Sequence, residues 1–156
     1  MYTKEELKEL KIKFWAGFKE FIQNHDNPEL HRKRWLLNDT GVSGVAFRFD
    51  FDRETAFVMI ELLHKNEARR LRTFEILEQY KVVVEEGFHD GLHWEFYHKR
   101  EDNRQEVCRI FTMLEGVDFH RQNQWTEVYR FFAENMPKLE ENFLMVKEVL
   151  KEELRR

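Results

Sequence analysis

Apolar and polar positions alternate along this chain with two distinct periods, and they divide it into helices and strands. From Thr3 to Gln23, Leu7, Leu10, Phe14, Phe18, Phe21 and Ile22 recur at helical spacing, with lysines and glutamates opposite. Thr3 and Glu6 have the spacing of a capping box, in which two side chains close free N–H groups at a helix start. The helix is expected to stop at Asn24-His25-Asp26-Asn27-Pro28. Pro28 to Asn38 fits either a short helix or an irregular approach to a sheet.

Two strands are predicted next. Val45, Phe47, Phe49 and Phe51 alternate with Ala46, Arg48 and Asp50, which gives one apolar face. After a turn at Asp52-Arg53-Glu54, Thr55 to Leu63 is apolar on both faces, the pattern of a more central strand. The short connection predicts an antiparallel hairpin. A second helix is expected from Asn66 to Glu86, with Leu71, Phe74, Leu77 and Val84 inward and Gly87 as its stop. Leu92, Trp94 and Phe96 then alternate with His93, Glu95 and Tyr97. His98 to Gln105 connects them to a return strand, Val107 to Leu114, which is again apolar on both faces. Two helices are expected to close the chain, Gln122 to Asn135 and a last one opened by Pro137 and running to Glu153. The expected fold is therefore α+β: an antiparallel sheet of two hairpins, about four strands, packed with about four helices. With no internal repeat, low-complexity stretch or Gly/Ser linker, residues 1–156 are expected to form a single domain.

Composition narrows the function classes. Hydrophobic residues at 42% and charged residues at 36% exclude a disordered chain, and no run of about 18 apolar residues predicts a membrane span. The charged N-terminus lacks the apolar core of a secretory signal, so the cytoplasm is the expected compartment. Fifteen phenylalanines predict an aromatic core, with some rings left over for a partner surface or a homodimer interface. A net charge of −4 disfavours general nucleic-acid binding. The lone cysteine, Cys108, lies mid-strand and reads as a buried structural thiol.

Catalytic and cofactor signals are sparse. There is no Gly-rich phosphate loop, dinucleotide fingerprint, cysteine pair for zinc or helical His-Glu-x-x-His, so no catalytic residue and no cofactor is assigned. The strand stretch His93, Glu95 and His98 supplies imidazole and carboxylate groups that could hold a divalent metal, as a metal-dependent hydrolase requires, and His89 lies nearby. The plainer reading of these residues is a solvated sheet face. Nuclease chemistry of the Glu-x-Lys type is disfavoured, because Glu61 and Glu95 each lack a lysine two residues on. Basic residues cluster at Arg32, Lys33 and Arg34 and at Arg69, Arg70 and Arg72. They are either solvated helix faces or a nucleic-acid contact of an accessory domain.

Several motifs carry a family resemblance: Phe14-Trp15, Gly41, Phe74, Lys81, Leu92-His93-Trp94-Glu95, Arg109-Ile110, Trp125 and the segment Leu139 to Phe143. With these the chain resembles a bacterial family of unknown function, whose members occur alone or C-terminal to nuclease-like domains. The resemblance implies company with DNA-processing or defence systems, and it supplies no catalytic residues. The leading expectation is a non-enzymatic protein-interaction domain that self-associates.

Overall fold

The computed structural model describes residues 2–27, 30–31 and 40–156. Helix α1 (Lys4–Gln23) begins with the expected capping box: Glu6 N–H donates to Thr3 Oγ1 and Thr3 N–H to Glu6 Oε1, each at 3.1 Å. Strands β1 (Val45–Phe51) and β2 (Thr55–Leu62) form the first hairpin. Asp52 builds its turn, accepting from the N–H groups of Glu54 and Thr55. Helices α2 (Glu67–Gln79) and α3 (Lys81–Val84) follow, then β3 (His93–Lys99) and β4 (Glu106–Glu115). A 3-10 turn, Gln122–Gln124, leads into α4 (Trp125–Leu154).

The four strands form one antiparallel sheet in the order β1-β2-β4-β3. The two hairpins join through their return strands, so the two segments apolar on both faces are the two central strands. One face carries Val45, Phe47, Val58, Ile60, Leu62 and Ile110 into a core shared with α1, α2 and α4. This is an α+β fold with its helices on that face.

The core is aromatic where α1 meets α4. Phe132 of α4 stacks on Phe49 at a centroid distance of 4.4 Å and lies edge-on to Phe14 and Phe18 of α1. Gly17 lets α4 approach closely, because a Cβ there would meet the Tyr129 ring. The Tyr129 hydroxyl donates to the Phe14 carbonyl at 2.7 Å.

Two helix boundaries differ from expectation. The two expected closing helices are a single helix, α4, with Pro137 inside it. Its inward stripe stays in phase across the proline, through Phe132, Met136, Leu139, Phe143 and Val146. Burying that continuous stripe outweighs the roughly 3 kcal/mol that an interior proline costs a helix. The expected middle helix instead breaks at Tyr80, and only one further turn, α3, follows. The β-branched run Val82-Val83-Val84 favours helix poorly.

Candidate functional site

The sheet face away from the helices carries the charge. Register places its residues in cross-strand rows: Glu61 of β2 opposite Arg109 of β4, and Arg109 opposite Glu95 of β3. In the next row Arg48 of β1 lies opposite Met59, Met59 opposite Phe111, and Phe111 opposite His93. Met59, Val107 and Phe111 are buried here but stand apart from the main core. A groove of about 510 Å³ opens over Phe57, Met59, Glu61 and Arg109, walled by Arg48, His98, Arg100 and Asp102.

Glu61 is the centre of this face. It is only 2% exposed. Arg48 Nη1 donates to its Oε2 at 3.1 Å, and Arg100 Nη1 lies 3.7 Å from its Oε1. Arg100 also pairs with Asp102 at 2.7 Å, and Arg48 reaches the same Asp102 oxygen at 3.9 Å. Arg109 Nη2 bonds both oxygens of Glu95, at 3.0 and 3.1 Å. Its guanidinium lies over the Phe57 and Phe111 rings, and His93 stacks on Phe111 from β3. Burial pushes the Asp102 carboxyl up, but Arg100, the Asn103 N–H and Arg48 outweigh it and hold the group below the usual carboxylate value.

A bulge sets the position of His98. Glu95 pairs with Arg109 but His98 pairs with Val107, so three steps on β3 match two on β4. In a regular strand Glu95 and His98 would point to opposite faces. The extra residue turns both to the charged face, where His98 Nδ1 lies 3.2 Å from Glu95 Oε1. Burial, and then the Arg109 charge, lower the His98 pKa against the opposing carboxylates Glu95, Glu61 and Asp50. The lowered pKa favours the uncharged imidazole beside Glu95.

The three suggested metal ligands are thus only partly assembled: Glu95 and His98 meet, while His93 is held against Phe111. Among the described residues no group of three or more His, Cys, Asp or Glu side chains is placed to hold a metal. The cluster Arg32, Lys33 and Arg34 lies outside the described residues. In the second cluster, Arg69 donates to the Leu154 carbonyl at 2.8 Å and Arg72 to that of Glu153 at 3.1 Å. Both cations close the C-terminal end of α4, where its dipole favours positive charge. Arg70 is buried, donates to the His64 carbonyl at 2.8 Å and lies 3.7 Å from Glu106. The sheet separates this cluster from Glu95 and His98. Cys108 is buried and donates to the Phe96 carbonyl, and burial pushes its thiol pKa up to about 11, against the opposing Arg70 charge.

Arg48, Glu61, Arg100, Asp102 and Arg109 are not proposed as site residues from the sequence: Glu61 enters only in weighing nuclease chemistry, Arg109 only in the family resemblance, and Arg48, Arg100 and Asp102 with no functional role. A signal was present for two of them. Glu61 is the one acid in the central strand β2, and Arg109 the one base between Val107 and Leu114 in the other central strand.

Two histidines give the domain a pH dependence. His64 packs against Gly44, and burial, with the charges of Arg69 and Arg70, lowers its pKa against the Ser43 backbone. His98 is lowered as well. The unfolded chain then binds protons more readily than the folded one near pH 6.5, so stability rises with pH there. Stability should be complete above about pH 6.5 and fall as the pH drops below it. Thermal melts of wild type and His64→Gln from pH 8 to 5 will check this. A melting temperature that declines no less steeply in the variant would remove His64 as a cause.

No described helix is long and apolar enough to cross a membrane. No curated protein and no solved structure matches the chain. A family model does match, Domain of unknown function (DUF4268), over residues 10–147, and the chain belongs to that family.

Proposed function

We propose that this domain is a non-enzymatic interaction module that pairs with a second copy of itself through the β3 edge. The observation that carries the reading is the exposure of Phe96 and Tyr97, 61% and 54%, on an outer strand. β3 has β4 on one side, and among the described residues no strand pairs with its other side. An edge with free backbone N–H and C=O groups and exposed rings is a template for strand addition. The other outer strand, β1, exposes no large apolar side chain.

Sedimentation velocity over a wide concentration range tests the reading. The wild type is expected to dimerise. Phe96→Glu combined with Tyr97→Glu should weaken the dimer by at least about 2 kcal/mol, about thirtyfold in Kd, with an unchanged melting profile. A strict monomer at every concentration refutes self-association.

A further inference from the structure

The side of α4 turned away from the sheet combines acids with large apolar groups. From Phe131 to Leu154 its exposed residues are four glutamates, Glu134, Glu141, Glu148 and Glu152, and the apolar Leu144, Met145 and Val149. At about 3.6 residues per turn they share one side of the helix, within roughly 140° of arc. Among the described residues seven large apolar side chains are exposed, and four of them lie on this ridge or beside it: Leu144, Met145, Val149 and Val82 of α3. α2 and α3 run antiparallel to α4, with Arg69 on the Leu154 carbonyl and Asn142 donating to the carbonyls of Val84 and Glu86. That course brings Val82 level with Met145. Single exposed apolar residues are ordinary on a surface, whereas a group of them marks a contact.

Charge decides what covers this ridge. Among the described residues no cation pairs with Glu134, Glu141 or Glu148, while Glu152 lies 3.6 Å from Arg155. The lysines on the flanks, Lys138, Lys147 and Lys151, are half-buried; Lys138 donates to the Gly87 carbonyl and Lys147 packs against Gly41. The same ridge of a second copy would bring glutamate against glutamate, which excludes it as the occupant. We propose that the ridge docks a basic amphipathic helix of a partner protein. The apolar stripe of that helix lies on Leu144, Met145 and Val149, and its lysines or arginines face Glu141 and Glu148. Apolar contact supplies the affinity of such a helix, and the charges select it and fix its register.

Fluorescence anisotropy at low ionic strength tests this with a labelled synthetic helix, leucine along one face and lysine on its flanks. Versions with glutamine or glutamate in place of lysine are the comparisons, and affinity is expected to fall in the order lysine, glutamine, glutamate. Leu144→Gln, Met145→Gln and Val149→Gln together keep helix propensity and should weaken binding of the lysine peptide about tenfold. Glu141→Gln with Glu148→Gln should weaken it by a similar factor. Glu9→Gln with Glu20→Gln makes the same charge change at exposed positions of α1 and should leave the affinity unaltered. All these positions are exposed, so the variants should melt as wild type does. No binding of the lysine peptide, tighter binding of the glutamate peptide, unchanged affinity in the triple variant, or an equal loss from the α1 variant overturns the proposal. The ridge belongs to the helix layer and not to β3, so its failure leaves self-association standing.

Discussion

Glu61→Ala is expected to lower the unfolding free energy by about 3–5 kcal/mol, because it leaves buried cations without their counter-charge. Glu61 is almost wholly buried, and Arg48 and Arg100 are both directed at it. Removing one member of a buried ion pair strands the other in a poorly solvating environment, so the cost exceeds the net worth of the pair. Arg48 retains some water contact, with its side chain 24% exposed, which places the expected loss toward the lower part of that range. Urea unfolding followed by circular dichroism measures the change in midpoint. The double variant Arg48→Met, Glu61→Leu discriminates the cause. If stranded charge is responsible, the double variant should recover part of the loss, since it replaces the closest pair by apolar volume. A single-variant cost below about 1 kcal/mol would show that Glu61 is solvated as a surface group is.

This network also marks where sequence reasoning stopped. Alternation along Val45 to Phe51 placed β1, and the absence of alternation along Thr55 to Leu63 pointed to the interior of the sheet, where β2 lies. Such patterns report which face a residue occupies on its own strand. They carry no information on which strands are neighbours, so the meeting of Arg48, Glu61 and Arg109 depends on the β2–β4 pairing that joins the hairpins. His98 shows a subtler limit. Strict alternation sets it opposite Glu95, and one bulged residue returns it to the same face. Pro137 misled for an energetic reason: the local preference to end a helix was overruled by a buried stripe that continues beyond it. Arg69 and Arg72 looked like a free basic cluster because the carbonyls they bond, at Glu153 and Leu154, lie more than eighty residues away along the chain.

The apolar side of the sheet should be as sensitive as the charged side, and Phe132→Ala tests it most directly. Phe132 is fully buried, and its ring meets residues from two other elements, β1 and α1. It stacks on Phe49 of β1, meets Phe14 and Phe18 of α1 edge-on, and lies nearly parallel to Trp15 at 6.1 Å. Truncation to alanine loses the transfer free energy of the ring and leaves a cavity bounded by other rings. Those rings cannot collapse into the space without moving α1 or β1. The expected cost is about 3–5 kcal/mol. Phe132→Leu retains most of the volume and should cost distinctly less. Urea midpoints of the two variants will check the ordering. Because Phe132 links α1 to the sheet, Phe132→Ala should also weaken hydrogen-exchange protection along α1 more than along α2, which packs elsewhere on the sheet. Equal costs for the two substitutions, or unchanged protection in α1, would mean that the aromatic cluster is loosely packed and that α1 is held mainly by other contacts.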